Sequence, residues 1–302
     1  MHDSVLLHEI IDGLNITDGD VVVDGTLGRA GHSLAILESG KKIFLIGIDE
    51  DEQALEESEI KLQSHKNKYK LFRGNFRDIK KFLSETVLPV CVSEGGVDKV
   101  LLDLGLSSPQ LDSSGRGFTF RKDEPLRMTM RRDIGPEKLT ARDIVNDWAE
   151  NDIANVIYAY GEERYARRIA KAIIDARAIQ AIETTGILAD IIEKAVPASY
   201  RRGRIHPATR SFQAIRIAVN DELGALRGGL SEIQDVLRAG GRIAVISFHS
   251  LEDRIAKQIF KNWEKEGFGS QLTKKPIIPT DSEMEKNPRS RSAKLRIFIK
   301  KD

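Results

Sequence analysis

The chain lacks the features that mark secreted and membrane-spanning proteins. Its 302 residues contain one cysteine, Cys91, so no disulfide can form within the chain. No apolar run approaches the roughly 20 residues that span a bilayer. The first residues, MHDSVLLHEI, lack the basic and apolar regions of a signal peptide. We therefore expect a cytoplasmic protein with no membrane partner and a buried, unreactive thiol at Cys91.

Net charge is close to zero as well, at +1, which disfavours a protein that coats nucleic acid without selectivity. The cations are nevertheless clustered in three segments, namely residues 116–132, residues 201–216, which contain no acidic residue, and residues 289–301. Each cluster alone is typical of a solvated surface. Several of them on a nearly neutral protein favour a polyanionic partner such as RNA.

Apolar runs alternate with helical patterns along much of the chain, which predicts a parallel sheet with crossover helices. The predicted strands are residues 21–24, 42–49, 71–76, 99–105, 242–248 and 293–300. The segment from Gly105 to Arg242 is too long for one crossover helix. Its first part, residues 107–207, has helical periodicity almost throughout. We therefore predict an α/β Rossmann-like domain formed by residues 1–106 and 208–302, interrupted by an all-helical subdomain at residues 107–207.

Two details of this organisation stay open in the sequence. The helix that completes the interrupted crossover lies either in RSFQAIRIAVNDEL, residues 210–223, or in GLSEIQDVL, residues 229–237. Residues 267–292 are polar and contain three prolines, which indicates a loop with room for one short strand at KPIIP.

The segment DGTLGRAGHS, residues 24–33, follows the first predicted strand and opens a helix. Its glycines allow a ligand to approach the backbone, where the N–H groups of the helix start are unpaired. Asp49 ends the second strand about 20 residues later, a position typical of a ribose-binding carboxylate. The glycine count does not distinguish a dinucleotide from S-adenosylmethionine, but Asp24 would repel a pyrophosphate and suits the cationic methionine moiety. Glycines that only make a tight turn are the alternative.

Several long blocks of the sequence are similar to one protein family. They are DGTLGRAGHS, GNF, LLDLGLSSPQLD, YGEERYARRIA, HPATRSFQAIRIAVN, ISFHSLEDRI and NPRSRSAKLR. The chain resembles the bacterial small-subunit rRNA cytidine-N4 methyltransferases, the RsmH or MraW family, over nearly its whole length. The resemblance implies an S-adenosylmethionine-dependent methyltransferase domain interrupted by a helical substrate-recognition domain. It also implies methylation of N4 of one cytidine in the decoding (P-site) region of 16S rRNA in the small ribosomal subunit. No metal site is expected, because the six histidines show no ligand-like spacing.

The resemblance also implies the cofactor-binding residues, which are Ala30, Gly31, His32, Asp49, Phe76, Asp103 and Gln110. Asp103 ends the fourth strand, where other amino-methyltransferases carry an acidic or amide residue. We therefore expect Asp103 to be catalytic and to orient either the substrate amine or the cofactor. Three alternatives remain: His32 could cap a helix, Phe76 could be a core aromatic, and His249 could either cap a helix or contact the substrate.

Two basic groups in the inserted segment are candidates for RNA phosphate contacts. The spacing of Arg164, Arg168 and Lys171 predicts a basic stripe along one face of a helix. A second group, Arg201, Arg202 and Arg204, is predicted in a loop. A solvated helix face explains the first group equally well.

One segment departs from the family pattern, which commonly reads PLDMRMD. Here residues 125–131 read PLRMTMR, so Arg127 and Arg131 replace carboxylates and Thr129 replaces an arginine. This departure keeps open a non-catalytic RNA-binding or ribosome-assembly protein on the same fold. An NAD-dependent oxidoreductase and a methyltransferase acting on proteins or small molecules are further alternatives, which the motifs and the basic clusters disfavour.

Overall fold

The computed structural model describes residues 4–86, 96–132, 135 and 138–302, so Cys91 lies outside the described residues. The chain divides into two compact units. The first comprises Met1–Gly105 with Leu223–Asp302, and the second is Leu106–Glu222. Within the ranges described, every helix is too short or too polar to cross a bilayer.

The first unit is built on a sheet in which the described residues form seven strands. They are β1 (Val21–Asp24), β2 (Phe44–Asp49), β3 (Tyr69–Arg73), β4 (Val97–Asp103), β5 (Leu237–Ser247), β6 (Gly269–Gln271) and β7 (Lys294–Lys300). Their order is β3-β2-β1-β4-β5-β7-β6. Strands β1 to β5 pair in parallel, whereas β7 is antiparallel to both β5 and β6. This is the α/β Rossmann-like arrangement that the sequence predicts.

Helices cover both faces of this sheet, which explains why its strands are apolar without alternation. The helices of this unit are α1 (Leu7–Leu14), α2 (Gly31–Leu37), α3 (Glu52–Leu62), α4 (Ile79–Ser84), α12 (Glu222–Val236), α13 (Ser250–Lys265) and α14 (Asp281–Lys286). Side chains of neighbouring residues in one strand pack into the cores on opposite faces of the sheet. Val21 and Val23 pack with α4, α12 and α13, while Val22 packs with α1, α2 and α3.

Some predicted boundaries are wrong by a few residues. Strand β3 begins at Tyr69 and ends at Arg73, and β5 already begins at Leu237. The predicted loop at residues 267–292 contains β6 and α14, and Ile277 of KPIIP makes a single bridge to Leu295 instead of a strand. The crossover that returns to β5 is completed by α12, which agrees with the second of the two predicted segments.

The second unit is all-helical in its regular elements. These are α5 (Ser108–Asp112), α6 (Ala141–Asp147), α7 (Glu150–Gly161), α8 (Ala166–Arg177), α9 (Thr185–Ala195), α10 (Ala198–Arg201) and α11 (Ala208–Asn220). Residues 208–220, predicted to belong to the α/β Rossmann-like domain, form α11 in this unit instead, because Ala208, Phe212 and Ile215 are buried in its core. The role of this unit in substrate recognition stays a prediction.

Candidate active site at the carboxyl edge of the sheet

Three carboxylates lie at the carboxyl ends of adjacent parallel strands. Asp24 ends β1, Asp49 ends β2 and Asp103 ends β4. Since β1 lies between β2 and β4 in the sheet, the three side chains converge on the edge where ligands of open α/β sheets bind. The topology thus brings together residues that are far apart in the sequence.

The turn that follows β1 has an unusual backbone. Gly28 has φ +52° and Ala30 has φ 52°, so two residues of the turn are left-handed. That conformation costs a non-glycine residue such as Ala30 about 1 kcal/mol and is typical of functional sites. Ala30 is fully buried, so its contact with a cofactor stays a prediction.

The same turn is covered by the N-terminal segment. A Cβ atom on Gly31, the first residue of α2, would lie 2.1 Å from Oγ of Ser4, so a larger residue there would displace the Ser4 side chain. The Val5 side chain is buried nearby, in the core that also holds Ala30. Sequence reasoning assigned no role to this covering segment, and a contact between residues so far apart in sequence leaves no local signal.

The buried Asp24 side chain stabilises the turn by hydrogen bonds to one residue within it and one after it. Its carboxylate accepts hydrogen bonds from the Thr26 backbone N–H at 3.2 Å and from the Ser33 hydroxyl at 2.6 Å. Burial raises the pKa of Asp24 above its ordinary value, while these bonds and His32 oppose the change. The structure therefore gives Asp24 a structural role in the turn, and its contact with a cofactor stays a prediction.

Asp49 ties the turn to the second strand. It accepts hydrogen bonds from the backbone N–H groups of Gly28 and Asp51, both at 2.8 Å. Burial raises the pKa of Asp49 to about 7, although the two hydrogen bonds favour the ionised form. The two hydrogen bonds orient the Asp49 carboxyl group at the end of β2.

Asp103 is the member of the set with unused hydrogen-bonding capacity. Its backbone N–H donates to the Thr26 hydroxyl at 2.6 Å, which joins β4 to the turn. Its side chain is 26% exposed, yet its Oδ1 is buried and accepts no hydrogen bond from any described residue. Burial raises the pKa of Asp103 to about 6, with Asp24 and Glu252 adding to the effect and His32 opposing it. A buried acceptor without a donor is what a site for a polar or cationic ligand requires.

His32 lies between the N-terminal segment and Asp103. The residue is 6% exposed, with Nε2 at 3.0 Å from the Val5 carbonyl oxygen and Nδ1 at 3.7 Å from Asp103 Oδ2. Ala30 occupies the N-cap position of α2, so the alternative of His32 as a capping residue is wrong. His249, by contrast, is the N-cap of α13, where its Nδ1 accepts from the Glu252 backbone N–H at 3.4 Å.

Two predicted cofactor residues have structural roles in their own units. Phe76 is 8% exposed and belongs to the core of the first unit, where its ring lies against Gly229 of α12. Gln110 lies in the second unit, and its side-chain oxygen accepts from the Ser107 backbone N–H at 2.9 Å in a capping box of α5. Their contacts with a cofactor stay predictions.

The first basic group of the second unit differs from the prediction. Helix α8 begins at Ala166, so Arg164 precedes it and no continuous stripe exists. The Arg164 guanidinium instead lies 4.9 Å from the Tyr165 ring centre and 5.0 Å from that of Tyr200. Arg168 is exposed and forms neither a hydrogen bond nor an ion pair with residues that the structure describes, whereas Lys171 pairs with Asp175 at 3.3 Å.

The second basic group contains both bound and free cations. Arg201 is the last residue of α10, not a loop residue, and it donates to the Val196 and Lys194 carbonyls at the end of α9. Arg202 and Arg204 are exposed, and their guanidinium groups contact no partner in the described part of the chain. The ring centres of Tyr165 and Tyr200, the two tyrosines beside Arg164, are 5.0 Å apart, so the segments around residues 165 and 200 lie close together.

The segment that departs from the family pattern is held firmly inside the second unit. Thr129 is 5% exposed, and its hydroxyl donates to the Arg131 carbonyl at 2.9 Å. Asn220 brackets the segment, because it accepts from the Met130 N–H and donates to the Met128 carbonyl. Arg127 is exposed and borders a shallow cavity of about 310 Å³. A small hydroxyl residue at position 129 therefore suits this interior.

Comparisons with known proteins extend over the whole chain. Residues 1–301 match the sequence profile of the MraW methylase family. A protein named ribosomal RNA small subunit methyltransferase H from Paenibacillus sp. (strain JDR-2) is 46% identical, with 99% of each chain covered. A protein of the same name from Persephonella marina (strain DSM 14350 / EX-H1) is 46% identical, with 98% of each chain covered. A solved methyltransferase from Streptococcus mutans in complex with SAH aligns over 99% of both chains, at 12% identity and a TM-score of 0.45, a likeness too distant to say more about this chain.

Proposed function

Because this chain belongs to the MraW methylase family, we propose that it transfers a methyl group from S-adenosylmethionine to N4 of a cytidine in 16S rRNA. The names of the relatives support small-subunit rRNA as the substrate. The motifs quoted above support a cytidine in the decoding region. A protein with that substrate would act on the small ribosomal subunit in the cytoplasm. The observation that carries the proposal is the set of three carboxylates around the left-handed turn.

The residues at this edge fit a cofactor that carries positive charge. The buried, unpartnered Oδ1 of Asp103 is the clearest sign, because such an atom is stabilised by a donor or a cation. Asp49 would hold ribose hydroxyls, and the backbone of Ala30 and Gly31 would line the methionine moiety beside His32. Phe76 and Gln110 are assigned by resemblance alone. When bound, S-adenosylmethionine supplies an electrophilic methyl group.

Asp103 is the side chain that we assign to the reaction. The N4 lone pair of cytosine is delocalised into the ring, so the amine needs an acceptor for its hydrogens that localises the pair. The Asp103 carboxylate provides such an acceptor, and its fixed backbone contact with Thr26 keeps it at the end of β4. In-line positioning of two bound reactants contributes up to roughly 7–11 kcal/mol in favourable cases. Asp103 would contribute by orienting the amine or the cofactor and by accepting the proton that leaves N4.

The second unit would bind the RNA through its free cations. Arg168, Arg202 and Arg204 have unpaired charges in the described structure and are exposed, as phosphate contacts require. Arg164 and Arg201 would support this surface by holding its segments in place, because their guanidinium groups already contact tyrosine rings and helix carbonyls. Lys171 shares its charge with Asp175, so we expect it to contribute less.

Methyl transfer to isolated subunits tests this function directly. Labelled S-adenosylmethionine is incubated with 30S subunits that lack the modification, and nucleoside mass spectrometry then locates the label. The expected result is N4-methylcytidine at one position in the decoding region. Binding of RNA without binding of S-adenosylmethionine would instead support the non-catalytic assembly protein. Label in protein, or on another base, would contradict the proposed substrate.

A further inference from the structure

Three aromatic rings form a line from the core of the second unit to its surface. Phe212 is 5% exposed and belongs to the core. Phe120 packs against it edge to face, with ring centres 4.9 Å apart and an angle of 71° between the rings. The His206 ring lies 4.7 Å from that of Phe120 at an angle of only 32°, so Phe120 covers one face of the imidazole. The His206 side chain is nevertheless 40% exposed. The line of rings therefore ends in a supported ring that solvent can reach.

The backbone fixes the orientation of this imidazole. Its Nδ1 accepts a hydrogen bond from the Ala208 N–H at 3.2 Å, and the His206 carbonyl accepts from the Thr209 N–H at 3.0 Å. Nε2 lies 3.8 Å from Glu193 Oε2, a separation too long for a hydrogen bond. The ring is thus held at one edge and on one face. A ring held in this way loses little conformational freedom when a ligand packs against it.

The chain around His206 is basic. Residues 201–216 contain no Asp or Glu. Arg202 and Arg204 are exposed, and their guanidinium groups contact no partner among the described residues. Arg204 lies two residues before His206, at most about 7 Å along the backbone, so its guanidinium and the imidazole can contact the same nucleotide. Ile205, between them, is 48% exposed and adds apolar surface.

This combination indicates the kind of ligand that the surface suits. A surface that binds only phosphates needs cations but no ring, and a residue that only caps a helix needs no exposed ring. An accessible aromatic ring beside unpaired cations is the arrangement with which proteins bind single-stranded nucleic acid, because a base stacks on the ring and a phosphate pairs with the cation. Bases inside a duplex have both faces covered, so only an unpaired base can use such a ring.

We propose that His206, supported by Phe120, is a stacking site for one unpaired base of the RNA, and that a neighbouring phosphate binds Arg204. This inference rests on the proposed function, since it takes RNA as the partner. It adds a base contact to the phosphate contacts of the basic surface. This part of the second unit would therefore recognise single-stranded RNA in preference to duplex RNA. His206 would bind the substrate and take no part in methyl transfer.

Two variants separate the ring from the helix cap. His206→Asn keeps an acceptor for the Ala208 N–H but removes the ring, whereas His206→Phe keeps a ring but removes the acceptor. Fluorescence anisotropy measures their affinity for a labelled single-stranded RNA fragment from the decoding region of 16S rRNA. We expect His206→Asn to bind about five- to tenfold more weakly, at the lower end of the range for a lost base–aromatic stack, and His206→Phe to bind within about twofold of the unmodified protein.

Every other order of affinities would overturn the inference. Binding retained in His206→Asn and lost in His206→Phe would show that His206 acts only through the helix cap. A loss in both variants would assign the contact to the Nε2 hydrogen. Equal affinities of all three proteins would exclude His206 from the RNA interface. Thermal unfolding of each variant confirms that folded proteins are compared.

A fluorescent base tests stacking directly. 2-Aminopurine replaces each base of the same RNA fragment in turn, and its fluorescence falls when it stacks on an aromatic ring. We expect one position at which binding of the unmodified protein or of His206→Phe lowers the fluorescence but binding of His206→Asn does not. The absence of any such position would overturn the inference.

Salt dependence distinguishes a stack from a charge contact. Salt does not screen a stack, so His206→Asn should keep the slope of log affinity against log salt, whereas Arg204→Ala should reduce it by about 0.7. A reduced slope in His206→Asn would show a charge contact with phosphate and would overturn the inference. None of these measurements needs methyl transfer. Unchanged RNA binding by His206→Asn with normal methylation of 30S subunits would contradict the stacking site alone, and the expected binding without methylation would contradict the proposed function alone.

Discussion

The carboxyl edge of the first unit and the basic surface of the second use charge in opposite ways. At the edge, Asp49 and Asp103 are partly buried, and burial raises the pKa values of both toward neutrality. On the surface, Arg168, Arg202 and Arg204 are exposed and lack partners in the described structure, so their charge is screened by water and salt. Substitutions at the edge should therefore alter the protonation of single groups and have large effects on turnover. Substitutions on the surface should have small effects on RNA affinity, and these effects should depend on salt.

The largest expected effect belongs to Asp103→Asn. The amide is isosteric and leaves the backbone bond to Thr26 intact, but it can neither carry a negative charge nor accept the amine proton. We expect kcat for methyl transfer to fall by about 10²–10⁴-fold, the usual contribution of a general base. Measuring the turnover rate at saturating S-adenosylmethionine and RNA substrate tests this expected fall in kcat.

A control separates chemistry from binding in this variant. Titration calorimetry with S-adenosylhomocysteine, whose sulfur is uncharged, should give an affinity close to that of the unmodified protein if Asp103 mainly orients the amine. Normal turnover in Asp103→Asn would remove the carboxylate from the reaction. It would also break the contrast between the two regions, because the edge would then be no more sensitive than the surface.

The sequence predicts the edge much better than the surface. The strand ends at Asp24 and Asp49 follow from apolar runs, and parallel strands must align their carboxyl ends. The run at residues 99–105 predicts an end two residues too late, and Asp103 is singled out through the family resemblance. The sequence does not predict that the N-terminal segment covers the turn after β1. The contacts of Val5 with His32 and of Leu6 with Glu283 join residues far apart in the sequence and depend on the complete fold.

The surface shows a different kind of failure. Regular helical spacing predicts a stripe from Arg164 to Lys171, but the helix begins two residues after Arg164. In the turn before α8, the buried Glu163 accepts hydrogen bonds from the Tyr165 N–H at 2.9 Å and from the Tyr200 hydroxyl at 2.5 Å. A buried carboxylate paired with a distant tyrosine has no periodic signature, so the sequence gives no sign of this turn.

We expect an effect of intermediate size from the pH dependence of cofactor binding at the carboxyl edge. The pKa of Asp49 is raised to about 7 and that of Asp103 to about 6, so both groups lose protons as pH rises from 5.5 to 8. The site then becomes more negative and should favour the sulfonium cation of S-adenosylmethionine over S-adenosylhomocysteine. We expect the ratio of the two affinities to rise about tenfold, since one pKa unit corresponds to about 1.4 kcal/mol.

Calorimetry of both ligands at pH 5.5 and 8 measures this ratio, and effects common to the two ligands cancel in it. Asp49→Asn should reduce the part of the change that occurs near pH 7 and leave the part near pH 6. If the ratio of the two affinities does not change with pH, the charge of Asp49 and Asp103 does not affect the binding of the sulfonium cation. The carboxyl edge would then differ from the basic surface less than we infer.

The smallest effect, and the sharpest test of the surface, comes from Arg202→Ala combined with Arg204→Ala. Each arginine that neutralises a phosphate of single-stranded RNA contributes about 0.7 to the slope of log affinity against log salt. We expect the double variant to reduce the slope of binding to 16S rRNA by about 1.4 and to leave kcat unchanged at saturating substrate. Lys171→Ala is the matched control, because Asp175 already shares its charge. An equal loss of slope in Lys171→Ala would show that exposure alone, and not an unpaired charge, determines which cations of this surface bind RNA.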